Sequence, residues 1–299
     1  MFSIKRIVLC CVVVAMATAS QTSVRAEEVV TPEPVIDEHP RAVAHLSDAR
    51  ISGHVENGDP AGTVHLQRKR ADRDGFRSIA SATLGRDLAV TFSVEDLRHT
   101  ARYRLRYETR LSDSVRISVK PRLTLNISPD HVMSGRPLVV KGVLYPKMRG
   151  RRARLQWKVE GAWRTIERVS LGDGAYRVPL TAPAPGHRRV RITFAGDAYN
   201  GWARRADRAH SYERSLATWY GPGFYGNHTA CGPRLQRDSI GVAHRVLPCG
   251  TKVEILYRGR TVTVPVIDRG PYGDSNWDLT QRTAEKINFS GKEYIGVLH

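Results

Sequence analysis

Through most of the chain apolar and polar residues alternate with a period of two, most clearly in Val64-His65-Leu66-Gln67 and Tyr103-Arg104-Leu105-Arg106-Tyr107. That period puts successive side chains on opposite faces of an extended strand, one face buried and the other in water. Gly-Asp, Asp-Gly and Pro-Gly pairs break the runs and mark turns. The pattern repeats along the chain. Ile51-Ser52-Gly53 returns as Val140-Lys141-Gly142, and His65-Leu66-Gln67-Arg68-Lys69 as Arg154-Leu155-Gln156-Trp157-Lys158. Phe76-Arg77-Ser78-Ile79 returns as Trp163-Arg164-Thr165-Ile166, and Tyr103–Tyr107 as Val190-Arg191-Ile192-Thr193-Phe194. Short alternating strands over roughly 80–90 residues are the arithmetic of an antiparallel sandwich. The expectation is an all-β protein with two tandem immunoglobulin-like β-sandwiches, over residues 44–120 and 121–209. Neither contains a cysteine, so apolar packing must hold the sheets together.

The ends change the picture. Lys5 and Arg6 precede the apolar run 7–16, which is long enough for a signal sequence but too short to span a bilayer. Val24-Arg25-Ala26 has the small-residue spacing of a cleavage site. Residues 1–26 therefore read as a signal peptide cleaved near Ala26, a retained anchor being the alternative. The protein is expected to be secreted into the cell envelope, with no membrane span in the mature chain. Leu9 before Cys10 is not the small residue a lipid-attachment motif requires. Residues 27–43, with Pro32, Pro34 and Pro40 among acids, read as a disordered acidic leader. Residues 204–214 read as a polar connector.

Charge is unevenly placed. Residues 41–210 hold 33 Lys and Arg against 16 Asp and Glu, whereas residues 211–299 hold 11 against 8. A basic middle attracts polyanions. Export removes nucleic acid as a partner and leaves anionic wall polymers or lipid headgroups; an Arg-rich but inert surface is the bland alternative. With Cys10 and Cys11 removed, Cys231 and Cys249 remain, an even pair in an oxidising compartment. They read as a disulfide, with two free thiols as the alternative. No ligand spacing suggests a metal, and no cofactor is expected.

The last 86 residues differ in kind. Strands are expected near 217–220, 240–245, 252–257, 260–267 and 294–298, with one helix near 279–289. Set among them are Ala217-Thr218-Trp219-Tyr220-Gly221, Thr229-Ala230-Cys231-Gly232-Pro233, Ala243-His244-Arg245-Val246-Leu247-Pro248-Cys249-Gly250-Thr251, Asp268-Arg269-Gly270-Pro271-Tyr272 and Trp277-Asp278-Leu279-Thr280. In combination these motifs resemble the rare lipoprotein A (RlpA) family of double-psi β-barrels, over residues 214–299. The resemblance implies a small closed barrel with one short helix, and an exported protein that cleaves peptidoglycan glycan strands as a lytic transglycosylase. It implies Asp268 and His244 at the catalytic positions. Trp219, Tyr220, Arg269, Tyr272, Trp277 and Asp278 are candidates for binding substrate, and Phe224 and Tyr225 could also line a groove. Both cysteines depart from the family pattern together, which favours their pairing. The family's Glu after its T-A-S-G is Pro233 here, which cannot ionise.

Each candidate has a bland reading. Asp268 could tie turn amides, Asp278 could cap the helix, and His244 could be a packed, hydrogen-bonded ring. A transglycosylase needs one carboxyl that gives and then takes a proton, because the nucleophile is the sugar's own 6-hydroxyl. Asp268 could serve if burial or Asp278 raised its pKa. The alternative to cleavage is a silent glycan-binding or expansin-like wall protein.

Overall fold

The computed structural model describes residues 30–299, so the expected signal peptide lies outside the described residues. The first unit contains β1 (Glu33–Glu38), β2 (Ala42–Ala44), β3 (Ser47–Glu56), β4 (Thr63–Arg70), β5 (Arg77–Thr83), β6 (Ala89–Leu97), β7 (Ala101–Tyr107), β8 (Arg110–Leu111) and β9 (Val115–Lys120). Sheet β1-β3-β6 faces sheet β2-β9-β7-β4-β5. Their inward residues, among them Ile51, Phe92, Leu66, Leu105 and Ile117, form one core.

The second unit repeats the plan with β10 (Arg122–Leu123), β11 (Asn126–Ser128), β12 (His131–Met133), β13 (Pro137–Tyr145), β14 (Arg151–Val159), β15 (Ala162–Leu171), β16 (Ala175–Thr181), β17 (Gly186–Phe194) and β18 (Ala203–Tyr220). The repeat extends to detail. Gln67 and Gln156 both sit at a bulge in their hairpin. Each accepts from an arginine Nε at 2.8 Å, Arg104 and Arg191 respectively. Those arginines lie 4.0 and 4.1 Å from the ring centroids of Phe76 and Trp163. Gly53 and Gly142 are equivalent too: a Cβ on either would lie 2.2 Å from a carbonyl oxygen of the neighbouring chain segment, that of Val35 and Thr124 respectively. Only glycine lets the backbones approach so closely.

Two expectations are corrected. The acidic leader is not disordered over its described length, because β1 pairs antiparallel with β3. Pro34 is buried and Ile36 packs against the first core, while Asp37 lies 2.9 Å from His54 Nδ1. Proline is tolerated there because β1 is an edge strand. Residues 204–214 are not a connector but the middle of β18, which runs unbroken for 18 residues. Before Tyr212, its buried positions are Ala203, Ala209 and Ser211, small residues set among arginines, so the strand alternation is faint in the sequence.

β18 joins the second unit to the third. Its first half pairs with β17 and β12, its second half with β23 (Glu293–Leu298) and β22 (Trp277–Thr280). With β19 (Val242–Ala243), β20 (Lys252–Tyr257) and β21 (Arg260–Asp268) the order is β18-β22-β19-β21-β20-β23, closing back on β18. Closure removes the sheet edges. Helix α1 (Gln281–Ile287) packs Ala284 and Ile287 into the barrel core with Trp277, Leu279 and Phe289. Among the described residues no helix is long and apolar enough to cross a membrane.

The first two units are bolted by the loop after β17. Arg151 donates to Asp197 Oδ2 at 2.9 Å and to Asn200 Oδ1 at 2.6 Å. Asn200 is fully buried and donates to the carbonyls of Arg98 and Val119 in the first unit, at 2.9 and 3.3 Å. Removing that amide takes the side-chain donor from the Arg98 carbonyl and one acceptor from the Arg151 guanidinium, while the Val119 carbonyl keeps the Gly201 N–H at 2.9 Å. Asn200→Ala should therefore cost about 1–3 kcal/mol. Urea denaturation measures it, and an unchanged midpoint would contradict the bolt.

Candidate active site

Four residues stand in one register row across the barrel: Thr218 on β18, Asp278 on β22, Ala243 on β19 and Asp268 on β21. Paired positions on neighbouring strands share a face. The two aspartates therefore flank the methyl of Ala243, with Cα atoms about 10 Å apart at two strand spacings. A bulge creates this row. Val242 pairs with Val266, yet the next residue, Ala243, pairs with Asp268, so Ile267 is skipped. Ile267 instead packs over Gly241, where a Cβ would lie 2.6 Å from it. Without the extra residue an isoleucine would stand opposite Ala243; bulges near functional sites commonly re-aim a side chain in this way.

The two carboxyls differ in environment. Asp278 is partly buried and accepts from Thr218 Oγ1 at 2.8 Å. Burial pushes its pKa up to about 6; the Asp268 charge adds to the rise, and the Thr218 hydrogen bond opposes it. Asp268 uses Oδ1 to accept two main-chain N–H groups, from Arg269 and Ala230, each at 2.8 Å. Beside them the Tyr220 hydroxyl is buried without a well-formed hydrogen bond. Burial and the Asp268 charge hold that phenol above its ordinary range.

Ala230 belongs to the loop 221–241, which the expected disulfide anchors. Cys231 and Cys249 are bonded, with Cα atoms 5.7 Å apart. Thr229 turns the loop by donating both its N–H and its hydroxyl to the Pro233 carbonyl, each at 2.8 Å. Position 233 is thus a turn residue with nothing that titrates. Closing an 18-residue separation stabilises the fold by about 3 kcal/mol on the chain-entropy account.

His244 lies next to the row but works differently from the expectation. Its link to Asp268 is main chain to main chain, His244 N–H to Asp268 oxygen at 3.2 Å. Its ring Nδ1 accepts from the N–H groups of Val246 and Leu247, at 3.3 and 3.0 Å. A nitrogen that accepts carries no proton, which assigns the proton to Nε2. The ring centroid is 4.4 Å from that of Trp277. Burial, then the charges of His299, Arg245 and Arg269, hold the imidazole below its ordinary pKa. The ring is therefore a neutral turn former.

The remaining candidates divide. Trp219, 38% exposed, and Tyr272, 85% exposed, face solvent near the barrel end, as does Phe224. Trp277 does not: it is 3% exposed, inside the barrel core. Period-two alternation explains this correction, because its neighbour Asp278 takes the opposite face. Asp278 is also not the helix cap. Thr280 fills that position, accepting from Thr283 N–H, and Asp278 lies two residues earlier within β22. Arg269 turns its guanidinium to the carbonyls of His244 and Asp268, in long contacts of 3.4 and 3.5 Å, and not to Asp278. Tyr225 donates its hydroxyl to Gln281.

Sequence reasoning gave no role to Thr218, Ala243, Ala230 or Arg245. Arg245 Nε donates to the Pro271 carbonyl at 2.6 Å and Nη2 to that of Ser275 at 2.9 Å, which fixes the loop bearing Tyr272. Thr218 was visible as the residue two before Tyr220, hence on the same strand face. The other three depend on register and loop path, which local sequence does not carry.

A family model described as lytic transglycolase matches residues 213–299. Over 75 residues, 24% of this chain and 23% of the relative, it is 44% identical to the probable endolytic peptidoglycan transglycosylase RlpA of Synechocystis. It is 44% identical over 79 residues to the protein of the same description from Aquifex aeolicus, covering 25% of this chain and 35% of the relative. The endolytic peptidoglycan transglycosylase RlpA of Campylobacter jejuni is 41% identical over 76 residues, 24% of this chain and 28% of that one. The chain thus spans about a quarter to a third of the length of these curated relatives. The register row, the closed sheet and these matches lead to one conclusion: the C-terminal part of this chain is an RlpA-like double-psi β-barrel.

Proposed function

We propose that the protein is exported and that its barrel acts on peptidoglycan as an endolytic transglycosylase, cutting the bond between N-acetylmuramic acid and N-acetylglucosamine to leave a 1,6-anhydro end. The observation that carries the reading is the pair of aspartates flanking Ala243, one of them with a pKa raised to about 6. In this scheme Asp278 gives its proton to the bridging oxygen as the C1–O bond breaks. Asp268 takes the proton of the muramyl 6-hydroxyl as that oxygen bonds to C1. The glycan gains one proton and loses one, so the charge of the aspartate pair is unchanged and water is not consumed; proton exchange through solvent then returns the proton from Asp268 to Asp278. Assigning the donor role to Asp278 revises the sequence expectation, which put both steps on Asp268. A donor whose pKa is close to the working pH is the efficient choice. His244 is a positioning residue that sets the turn beside Asp268. Trp219, Tyr220, Tyr272 and Arg269 are the substrate-contacting side chains.

A second reading, glycan binding without cleavage, is favoured by one feature: Pro233 stands where the family has a glutamate and offers only its carbonyl to Thr229. We further infer that the two repeated units are immunoglobulin-like, and that their arginine-rich faces hold anionic wall polymer. The unit boundary proposed at 209/214 cannot be a cleavage point for a fragment, since β18 crosses it.

Mass spectrometry of wall digests decides between cleavage and binding. Wild type should release 1,6-anhydromuropeptides, while Asp268→Asn and Asp278→Asn should fold and release about 100-fold less or worse, the usual weight of general acid–base catalysis. The proton on Asp278 is present below about pH 6 and lost above it, so cleavage should fall as pH rises through that value. A wild type that yields no anhydro products would leave the binding reading. Full activity in Asp278→Asn would remove it as the donor.

Sedimentation of the whole chain with purified wall tests the charged faces. Binding should weaken steeply from low to high salt, because screening shortens the reach of exposed charges. Salt-independent binding would contradict the polyanion role.

A further inference from the structure

Away from the aspartate row, a second cluster of reactive side chains sits where the second unit meets the barrel. Three histidines form one row across three strands: the register pairs His187 on β17 with His210 on β18, and His210 with His131 on β12. His187 Nδ1 and His210 Nδ1 are 2.9 Å apart. The His131 and His210 rings stack with centroids at 4.3 Å. The barrel contributes Glu254 from β20, with Oε1 3.3 Å from His187 Nε2 and Oε2 3.9 Å from His210 Nδ1. Tyr212 closes the group: its hydroxyl donates to Glu254 Oε2 at 3.2 Å and lies 2.6 Å from His131 Nδ1.

Three imidazoles around one carboxylate need an explanation that packing alone does not supply. Protonating the rings would crowd like charges, while neutral rings turn lone-pair nitrogens towards one another and towards the carboxylate, with at most one proton in the 2.9 Å contact between His187 Nδ1 and His210 Nδ1. A single divalent cation answers both. We propose that His187, His210 and Glu254 bind one zinc-like transition-metal ion, which ties the barrel to the second unit.

One ligand atom from each of the three lies within 4.8 Å of the others. Around a tetrahedral zinc, with bonds of about 2.0–2.2 Å, ligand atoms stand roughly 3.3 Å apart. Closing from at most 4.8 Å to that spacing brings any two ligand atoms together by about 1.5 Å or less. Two imidazole nitrogens and one carboxylate oxygen are a donor set for zinc, copper or nickel, whereas magnesium and calcium prefer oxygen alone. The fourth position falls to water or to His131. Tyr212, bonded to Glu254 and adjoining His131, is the outer partner that orients the ligands. His187 is half-exposed, so an ion can enter from solvent. With Cys231 and Cys249 bonded to each other, the barrel thiols do not compete. The site is silent in the sequence because its ligands come from three strands and two folding units.

The test uses the full chain, treated with chelator and then titrated with zinc chloride, with magnesium chloride as the hard-cation control. Calorimetry should show one zinc per chain and no magnesium binding, and zinc should raise the thermal midpoint. His187→Ala removes a ligand at an exposed position, and its fold is checked by circular dichroism. Glu254→Gln keeps the shape of the barrel ligand. Each should weaken zinc binding by about 100-fold and abolish the thermal shift; Tyr212→Phe should weaken it by about 10-fold, as outer-shell losses do. Absence of stoichiometric zinc binding would overturn the proposal, as would wild-type affinity in His187→Ala. Wild-type affinity in Glu254→Gln would overturn the link to the barrel.

Discussion

The structure depends on a single strand serving two cores. β18 completes the second unit's sheet against β17, then continues without a break into the barrel, where it pairs with β23 and β22. A backbone ladder has no hinge in its middle. The orientation of the barrel is therefore set by the same hydrogen bonds that hold the second unit, and the Arg151–Asp197–Asn200 bolt passes that constraint to the first. The basic surface is thereby held in a fixed relation to the aspartate row, as a flexible linker would not hold it.

Within the barrel the same strand delivers Thr218 to Asp278. The proposed chemistry then follows from asymmetry. One carboxyl is buried and carries its proton to about pH 6; the other is held by two amide donors, one of them on the disulfide-anchored loop. Two like groups in unlike surroundings can divide the work of donor and acceptor. The bulge at Ile267 makes the arrangement possible, and Gly241 makes the bulge possible by leaving room for the displaced side chain.

Much of this was legible in the sequence, for physical reasons. Alternation marked the strands β4 and β7, because each buries mainly one face. The repeat survived because Gly53 and Gly142, and Gln67 and Gln156, answer the same local demands in both copies. The pairing of Cys231 with Cys249 followed from an even count. The misreadings came where the apolar face is made of small residues, as in β18, or where a proline-rich acidic stretch carries just enough apolar surface to dock, as in β1. The cap reading of Asp278 failed because a helix start and a strand end look alike over four residues, and the observed cap is Thr280; Trp277 takes the core face because its neighbour Asp278 takes the other. His244 has the chemistry of a catalyst, and only the geometry reveals a ring nitrogen spent on two turn amides. The histidine row has no local signature at all.

Proton delivery in the proposed reaction depends on the raised carboxyl of Asp278. Carbon-13 NMR titration of the side-chain carboxyls in the folded, disulfide-bonded chain measures it directly. Asp278 should titrate near 6, well above the ordinary value of about 3.9, and its midpoint should fall in Asp268→Asn, where the neighbouring charge is gone. An Asp278 midpoint at the ordinary value, unmoved by Asp268→Asn, would contradict the claim that burial and the paired carboxylate prepare this site to deliver a proton.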